Sequence, residues 1–314
     1  MFYGGIKLFA GSGSQDLAAR IAKYIDIPLS NWDLIEFPNE NLFVKLHGSV
    51  RGQDVYLIQS HARPVHRTIM ETLIAIDCLK RDNAGRITAV LPYLAYSQSD
   101  KKDQPRVPIT ARLLADMIEV AGADRWVTLD LHAEQIQGFY KIPGDSLTWF
   151  HILVNYLAEK NLNATVVTPD LGYAKKGRNY AAALNLPLAF VEKRRAGNST
   201  EREALSLIGS VEGRDAIIVD DLVDTAGSIK QAVEVVKEQG AKDVYVAFTH
   251  PVLSDPATER LRHLPIKEII TTDTLPIPPS KMLPNMKILT VAHLLGEVIL
   301  RSHEGRSVGE LFNE

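Results

Sequence analysis

The sequence predicts an α/β protein of two tandem domains, each a mainly parallel sheet flanked by helices. Short apolar runs alternate with amphipathic helical stretches along the chain, and this alternation is typical of parallel sheets covered on both faces. The pattern occurs once in each half of the 314 residues, a length that accommodates about two domains. We therefore expect an N-terminal domain over residues 1–145 and a C-terminal domain over 146–314, with the last ~10 residues packing back on the N-terminal domain.

Hydrophobic periodicity locates the individual elements. Strands are predicted at 6–10, 54–59, 87–91, 126–131, 164–168, 188–191, 216–219, 244–249, 268–271 and 287–291. Helices are predicted at 15–25, 64–80, 108–120, 147–159, 172–183, 228–239, 255–263 and 292–302. In the first of these helices, Leu17, Ala18, Ile21 and Ile25 share one face behind Ser14, which is a favourable N-cap residue.

Composition and charge exclude several classes of function. The net charge of −3, from 35 basic and 38 acidic residues, predicts no general affinity for nucleic acid or for an anionic membrane. Cys78 is the only cysteine, so an intrachain disulfide and a cysteine-ligated zinc site are both excluded. The N-terminus lacks an apolar core behind positive charge, and no apolar run reaches transmembrane length. We therefore expect a cytoplasmic protein without a membrane partner.

The stretch from Ala216 to Ser228 carries the strongest sign of chemistry. A predicted buried strand ends at Val219 and is followed by Asp220 and Asp221, a loop of small residues and an amphipathic helix. The backbone N–H groups of such a loop and the positive end of the helix dipole both favour a phosphate group. The two carboxylates suit the hydroxyl groups of a sugar, or a metal ion beside it. The stretch therefore predicts a sugar-phosphate site.

Three other segments place polar residues at predicted strand ends, where ligands bind in parallel α/β sheets. His132 follows one strand, although from its spacing alone a structural role is equally compatible. Asp170 is either the N-cap of a solvated basic helix or a metal ligand in front of a polyphosphate site. Lys193 and Arg195 belong to a basic cluster that is either a solvated loop or a mobile lid bringing positive charge to a transferring group.

Taken in order, these segments resemble ribose-phosphate pyrophosphokinase, also called the phosphoribosyl pyrophosphate synthetase family. The motifs are VRGQDVYLIQS, the PYLAY…SDKKD…R.PITA pattern, AGAD, LDLHAEQIQGFY.IP, TPD.G, EKRR, VDDLVDTAG and THPVLS. DD..DTAG alone indicates the wider type I phosphoribosyltransferase group, whereas LDLHAEQIQG together with EKRR is specific to the synthetase. The resemblance covers nearly the whole chain and implies two phosphoribosyltransferase-like domains.

The resemblance implies that the diphosphoryl group of ATP passes to O1 of ribose 5-phosphate, giving 5-phosphoribosyl 1-diphosphate and AMP. Lys193 and Arg195 match the pair that stabilises charge on the transferring group, and His132 and Asp170 match positions that bind Mg²⁺ and the ATP phosphates. The implied ribose 5-phosphate site consists of Asp220, Asp221, Asp224, Thr225, Ala226, Gly227 and Ser228.

The implied ATP site departs from the family pattern. A loop that usually reads Phe-Ser-Asp-Gly-Glu is Phe37-Pro38-Asn39-Glu40-Asn41 here, so the aromatic residue remains while amides replace charged groups. An Arg-Gln pair of the second ATP loop is replaced by two uncharged residues, which removes a cation near the nucleotide. The implied ATP-binding residues are Phe37, Asn39, Asn41, Gln98, Ser99, Asp100 and His132.

Regulation and assembly also follow from the resemblance. Ser49 and Arg51 match a phosphate-effector site, but Arg81-Asp82-Asn83 replaces the loop that completes it, which puts inhibition by ADP and activation by phosphate in question. Family members form dimers and often hexamers with ATP bound where two chains meet, so the resemblance implies a homo-oligomer.

Two alternatives use the same residues. A phosphoribosyltransferase that consumes phosphoribosyl diphosphate shares the sugar-phosphate loop, but such enzymes rarely need two matched α/β halves or the EKRR segment. A catalytically silent regulatory subunit of a synthetase would fit the altered ATP loops. Against it, the chain keeps His132, Asp170, Lys193 and Arg195 together with the complete sugar-phosphate loop.

Overall fold

The computed structural model describes residues 3–194 and 204–311, and the chain divides into two compact units. Unit 1 takes in Met1–Thr148, Thr274–Pro276 and Thr290–Asn313, and unit 2 takes in Trp149–Asp273 and Ile277–Leu289. The chain therefore returns to unit 1 twice after it first leaves it. Unit 2 differs from the domain expected over 146–314, because Thr290–Asn313 belongs to unit 1.

Unit 1 is built on a five-stranded sheet in which all neighbouring strands are parallel. Across the sheet the order is β1 (Ile6–Ala10), β4 (Asp54–Ile58), β5 (Arg86–Leu91), β6 (Arg125–Leu129) and β7 (Gly144–Leu147). A separate antiparallel hairpin pairs β2 (Trp32–Glu36) with β3 (Leu42–Leu46). The helices are α1 (Gln15–Ile25), α2 (Val65–Arg81), α3 (Thr110–Ala121) and α8 (Ala292–Glu304).

The core of unit 1 forms where apolar strands meet the apolar faces of helices. Every residue of β4 is buried, as expected for a central parallel strand covered on both faces. Helix α2 contributes Ile69, Ile76 and Leu79 to the same core, at the spacing of one helical face. These contacts hold α2 against one face of the sheet, with its first residues near the carboxyl end of β4.

Unit 2 is built on a seven-stranded sheet that is parallel except for one edge strand. Across the sheet the order is β10 (Ala204–Ile208), β9 (Leu188–Arg194), β8 (Ala164–Thr168), β11 (Asp215–Val223), β12 (Val244–Pro251), β13 (Glu268–Thr272) and β14 (Met286–Leu289). The helices are α4 (Phe150–Ala158), α5 (Ala174–Leu184), α6 (Gly227–Glu238) and α7 (Ala257–His263). β10 is the antiparallel strand and pairs with β9.

The predicted α/β class with parallel sheets flanked by helices is confirmed. The strand predicted at 216–219 is too short, because β11 continues through both aspartates and stays paired with β12 to Val223. The hairpin β2–β3 and the strands β7 and β10 were not predicted, since their short sequences lack a strong alternation of apolar and polar residues. No helix within the described residues is long and apolar enough to span a membrane.

A buried ionic cluster fastens helix α8 to the sheet of unit 1. The fully buried Asp54 carboxylate accepts hydrogen bonds from Arg86 Nε and Nη2 at 2.8 and 2.6 Å and from the Tyr56 hydroxyl at 3.0 Å. His303 Nδ1, near the end of α8, lies 2.8 Å from the same carboxylate, and Arg86 Nη2 also donates to Ser302 O at 3.1 Å. The cluster explains why the last helix belongs to unit 1.

Replacing Asp54 by Ala should lower the free energy of unfolding by about 3–5 kcal/mol, because it leaves the Arg86 guanidinium buried without its carboxylate. Urea denaturation followed by circular dichroism measures the change. Asp77→Ala is the matched control, since Asp77 pairs with Arg81 on the exposed face of α2 and its loss should have little effect. Equal stability of the two variants would show that the cluster does not hold unit 1 together.

Candidate functional site

The carboxyl ends of β8 and β11 mark the place in unit 2 where a ligand is expected. From β8 the chain continues through α5 to β9 on one side, whereas from β11 it continues through α6 to β12 on the other side. Such a divergence leaves a crevice at the strand ends, and ligands of open parallel sheets bind there. The pairing of β11 with β8 ends at Ile218 and Val167, so β11 extends past its neighbour along this crevice.

The β11–α6 loop (residues 224–228) makes a left-handed turn into the helix. Ala226 has φ 60° and ψ 22° and directly precedes Gly227, the first residue of α6. The first N–H groups of a helix have no acceptor within the helix, so they can serve an anion. A Cβ built on Gly227 would lie 3.8 Å from Arg260 Nη1 and from Thr225 Oγ1, which is ordinary van der Waals contact, so the protein itself would tolerate a methyl group there. Asp224, Thr225 and Ser228 are exposed at the same turn.

Protein donors hold the carbonyl groups along this turn. Their hydrogen bonds run from Leu253 N to Val223 O at 2.9 Å, from Arg260 Nη1 to Thr225 O at 2.9 Å and from Lys230 N to Ala226 O at 3.0 Å. No sequence pattern indicated a role for Arg260, because it lies in a short helix whose other charged residues are solvated. With its carbonyls engaged, the turn can present N–H groups rather than oxygen atoms to an anion.

Asp220 and Asp221 form an acidic pair inside β11, at the edge of the crevice. The Asp221 N–H donates to Asp220 Oδ1 at 2.9 Å. Burial raises the pKa of Asp220 well above its usual value, and the negative charges of Asp221 and of Asp170 add to this shift. Carboxylates that repel each other favour a cation or hydroxyl donors close by. The pair therefore suits a divalent metal ion or the hydroxyl groups of a sugar.

Asp170 lies just past the end of β8, on the other side of the crevice from β11. Its Oδ1 accepts a hydrogen bond from Tyr173 N at 3.2 Å, and its carbonyl oxygen accepts one from Thr168 Oγ1 at 2.8 Å. The carboxylate is thus held in the turn that leads into α5 while the residue stays exposed. Both readings of Asp170 from the sequence remain compatible, since an N-terminal turn carboxylate keeps an oxygen for a cation.

The predicted catalytic pair begins at the end of β9. The backbone of Lys193 is paired with Leu205 of β10, one strand away from β8. Arg195 lies outside the described residues. The structure therefore places the backbone of Lys193 near the carboxyl edge of the sheet and leaves the role of both residues as a prediction.

Phe37, Asn39 and Asn41 form the tip of the hairpin β2–β3 in unit 1. Phe37 N donates to Asn41 O at 2.9 Å, and Asn41 N donates to Asn39 Oδ1 at 3.2 Å. The Phe37 side chain is 46% exposed and its ring centroid lies 6.2 Å from that of Phe43, which is equally exposed. Exposed aromatic rings at a hairpin tip can stack on a planar ligand such as a nucleobase.

The second predicted ATP loop, Gln98 to Asp100, is held by its own side chains. Ser99 Oγ accepts a hydrogen bond from Thr110 N at 3.3 Å, so the hydroxyl group satisfies a donor at the start of α3. The buried Asp100 carboxylate accepts a hydrogen bond from the Gln135 side chain. Gln98 is exposed. Of the three residues, Gln98 has the side chain that is free to reach a nucleotide without breaking a contact of the loop.

The two predicted metal positions lie in different units. His132 is exposed just past β6 in unit 1, and Asp170 belongs to unit 2. No group of three or more His, Cys, Asp or Glu side chains suited to a metal ion occurs among residues 3–194 and 204–311. A metal ion at either position would take few protein ligands, and Mg²⁺ commonly completes such a shell with phosphate oxygens and water.

Ser49 and Arg51 lie together at the opposite, amino-terminal end of the strands of unit 1. Arg51 N is 3.3 Å from Ser49 Oγ, and Asp82 Oδ2 accepts a hydrogen bond from Val50 N at 2.8 Å. When the Asn83 amide is turned with its oxygen towards Arg51, both terminal guanidinium nitrogens lie 3.2 Å from that oxygen. Asp82 and Asn83, which depart from the family pattern, thus contact the segment from Ser49 to Arg51.

The β1–β4 edge of unit 1, in contrast to the crevice of unit 2, is filled by side chains. Gln59 Oε1 accepts a hydrogen bond from Gly13 N at 2.8 Å, and the buried Glu71 carboxylate accepts one from Ser12 N at 2.7 Å. The loop after β1 therefore already binds an anionic side chain of the protein. The sequence did not indicate this role for Glu71, which lies within an ordinary amphipathic helix.

His61, just past the end of β4, is a buried imidazole with one hydrogen bond. Its Nδ1 accepts from Ala95 N at 3.3 Å, and within the described residues its Nε2 has no partner. Burial lowers the pKa of His61 to about 4. The ring is therefore neutral near pH 7, with its proton on Nε2 because Nδ1 accepts a hydrogen bond.

The sheet order, the acidic pair and the loop before α6 define an α/β protein with a candidate ligand site at the carboxyl ends of the strands of unit 2. The protein-family model for the N-terminal domain of ribose phosphate pyrophosphokinase matches residues 6–122. The family model for the phosphoribosyl synthetase-associated domain matches residues 195–313. Ribose-phosphate pyrophosphokinases of Caldanaerobacter subterraneus subsp. tengcongensis and Clostridium acetobutylicum are each 45% identical to this chain, over 98% of it and 98% of their own length.

A solved structure leads to the same family. The crystal structure of phosphoribosylpyrophosphate synthetase from Mycobacterium smegmatis is 41% identical, with a TM-score of 0.92 over 96% of this chain and 100% of that chain. This chain belongs to the ribose-phosphate pyrophosphokinase family, and it is an enzyme. The resemblance seen in the sequence motifs is therefore confirmed.

The buried neutral His61 should make the protein lose stability in mild acid. Because its pKa of about 4 lies below the ordinary value, the unfolded chain binds a proton first, and stability falls as the pH drops from about 6.5 through 4. Between pH 7 and pH 4.5, wild type should lose about 2 kcal/mol more free energy of unfolding than His61→Gln does. His151→Gln, at an exposed position, is the control and should follow wild type. If the free energy of unfolding depends on pH in the same way for wild type and His61→Gln, His61 is not the buried neutral group that loses stability in acid.

Proposed function

We infer that this enzyme transfers the diphosphoryl group of ATP to O1 of ribose 5-phosphate, giving 5-phosphoribosyl 1-diphosphate and AMP. The observation that carries this inference is the 45% identity to ribose-phosphate pyrophosphokinases over 98% of the chain. The crevice between β8 and β11, with its acidic pair and helix terminus, gives the activity a physical basis.

The acceptor substrate binds at the crevice of unit 2. The N–H groups at the start of α6 hold the 5-phosphate, because they carry partial positive charge and Gly227 leaves the backbone open to close approach. Asp220 and Asp221 meet the ribose hydroxyl groups, directly or through a metal ion. The residues assigned to this site are Asp220, Asp221, Asp224, Thr225, Ala226, Gly227 and Ser228.

The transfer itself needs alignment and positive charge more than covalent help from the protein. O1 of the sugar attacks the β-phosphorus of ATP, and the bond from that phosphorus to the bridging oxygen of AMP breaks. Lys193 and Arg195 are assigned to stabilise the negative charge that grows on the transferring group. No strong base beside the sugar is required if the hydroxyl group of O1 loses its proton late.

Mg²⁺ is the proposed cofactor. His132 and Asp170 are the assigned positions, and the raised pKa of Asp220 fits a site whose carboxylates favour a cation. Bound Mg²⁺ would neutralise phosphate charge. Asp170, whose Oδ1 is fixed by Tyr173 N, offers a carboxylate oxygen in a defined direction.

The donor substrate, ATP, is assigned to residues of unit 1. Phe37 stacks on the adenine, while Asn39 and Asn41 supply uncharged hydrogen-bonding groups at the hairpin tip. Gln98, Ser99 and Asp100 form the second loop, and His132 is assigned to the phosphate groups of ATP. Because no arginine precedes Asp100, we expect a lower affinity for ATP than in relatives that carry an arginine there.

Assembly, location and regulation complete the proposal. The chain forms a homo-oligomer of dimers that assemble to a hexamer, works in the cytoplasm, and binds neither nucleic acid nor membranes. Ser49 and Arg51 are assigned to a phosphate-effector site whose response is altered, because Asp82 and Asn83 take the place of small residues there.

The two alternatives are less favoured. A phosphoribosyltransferase would not share similarity with synthetases over the whole chain. A silent regulatory subunit would have no need of an intact β11–α6 loop together with His132, Asp170 and Lys193.

Purified protein with ATP, ribose 5-phosphate and Mg²⁺, and with no nucleobase present, should form AMP and 5-phosphoribosyl 1-diphosphate in equal amounts. Chelation of the metal with EDTA should abolish the reaction, and added Mg²⁺ should restore it, since the phosphate charges must be neutralised. Chromatography of the nucleotides measures AMP. The absence of AMP formation under these conditions would favour the regulatory subunit.

Lys193→Ala should lower kcat by roughly two to three orders of magnitude while it changes ribose 5-phosphate binding little, because the charge is needed mainly in the transition state. Steady-state kinetics and calorimetric binding separate the two effects. Lys267→Ala, which removes an exposed lysine paired with Asp243, is the matched control and should keep normal kcat. A near-normal kcat for Lys193→Ala would refute the role of this lysine.

A further inference from the structure

We propose that Arg260 is a positioning residue for the acceptor site, because its guanidinium group turns the peptide between Thr225 and Ala226 so that the N–H points towards the 5-phosphate. The proposal rests on the proposed function of the β11–α6 loop and adds to it a residue from a different helix. Arg260 contacts the carbonyl group of Thr225, so the proposed effect on the substrate acts through the backbone of the loop.

The contact is a charge-assisted hydrogen bond to a backbone carbonyl. Arg260 Nη1 donates to Thr225 O at 2.9 Å, and hydrogen bonds from charged donors are roughly twice as strong as neutral ones. Among residues 3–194 and 204–311, no carboxylate forms an ion pair with Arg260. The neighbouring Glu259 instead contacts Arg262 at 2.9 Å and His263 at 2.6 Å. The positive charge of Arg260 is therefore available to the loop.

The bond fixes which side of the loop carries donors. In a planar trans peptide the carbonyl and the following N–H point in opposite directions. With Thr225 O directed towards α7, the Ala226 N–H is directed away from α7. Ala226 has left-handed backbone angles and Gly227 opens the helix, and such a sequence of conformations brings successive N–H groups to one concave side. A freely rotating peptide could instead turn its carbonyl oxygen towards the phosphate and repel it.

Helix α7 is anchored independently of this contact. Leu253 N donates to Val223 O at 2.9 Å and Ala257 N donates to Ser254 O at 2.8 Å, which ties the segment before α7 to the end of β11. Ala257 and Leu261 are buried at 0% and 1% exposure and hold the helix in the core. Truncation of Arg260, which is only partly buried, should therefore leave the helix in place and release the Thr225 carbonyl.

The test compares Arg260→Ala and Arg260→Lys with wild type. In the presence of Mg²⁺ and a non-hydrolysable ATP analogue, Arg260→Ala should raise the Kd for ribose 5-phosphate roughly tenfold, the loss expected for one charged hydrogen bond. The KM for ribose 5-phosphate should rise by a similar factor, while the KM for ATP and the Tm stay unchanged. Arg260→Lys should recover part of the affinity, because an ammonium group restores charge and a donor without the planar geometry.

Two further variants show whether a negative result contradicts the role of Arg260 or the proposed acceptor site itself. Arg262→Ala, two residues further along the same helix and exposed, is the control and should bind ribose 5-phosphate as wild type does. Gly227→Ala adds a methyl group that makes ordinary contact, at 3.8 Å, with Arg260 Nη1 and Thr225 Oγ1, so the fold should tolerate it, but it should abolish binding if the sugar phosphate lies against this backbone. If Gly227→Ala loses affinity while Arg260→Ala does not, the positioning role is overturned and the proposed site stands.

Two other results would also overturn the proposal. If Gly227→Ala binds ribose 5-phosphate as tightly as wild type, the substrate does not use this loop, and the proposed acceptor site fails together with the role of Arg260. If Arg260→Ala lowers the Tm and raises the KM of both substrates equally, Arg260 is a structural residue of α7 only.

Discussion

The crowding of two carboxylates on one fixed strand is the constraint on which the site depends. β11 stays paired with β12 as far as Val223, so Asp220 and Asp221 cannot move apart by relaxing the backbone. Burial and mutual repulsion raise the pKa of Asp220, and Asp170 adds negative charge from the neighbouring strand end. Positive charge at the crevice relieves this repulsion, and it can come from a metal ion or from the N-terminus of α6. The sheet therefore prepares the electrostatics that a sugar phosphate with its metal ion would complete.

The two parallel sheets differ in the polar residues that follow their central strands. Gln59 and Ser60 directly follow the apolar run of β4, at the positions that Asp220 and Asp221 hold in β11. In unit 1 these residues are neutral and engaged: Gln59 Oε1 accepts from Gly13 N, and Ser60 N donates to Ser14 Oγ at 2.7 Å. The edge of unit 1 is thus occupied by its own neutral side chains, although Gln59 Nε2 has no partner among the described residues. The edge of unit 2 instead carries two adjacent carboxylates. Function follows from which polar groups are left for a ligand.

Local patterns allowed the sequence to predict the helices and most central strands, because apolar spacing acts over a few positions. The sugar-phosphate role of the loop before α6 stays a prediction. The length of β11 could not be predicted, since aspartate disfavours strands and only pairing with β12 carries the strand past Val219. The placement of α8 depends on Asp54 and His303, which are 249 residues apart in the sequence. Contacts of this kind arise from the tertiary fold, and no local signal identifies them.

Ser99, one of the two residues that depart from the family pattern in the predicted second ATP loop, binds the first turn of α3. Its hydroxyl group accepts from Thr110 N and its carbonyl from Ala111 N at 3.1 Å, so the serine satisfies two of the N–H groups that begin α3. A residue engaged in this way holds the loop in place and has little capacity left for a nucleotide. Asp100 is similarly engaged by Gln135. If ATP binds at this loop as proposed, Gln98 is the residue with a free side chain to contact it, and its amide can donate to a phosphate oxygen or a base without adding the charge that an arginine would bring.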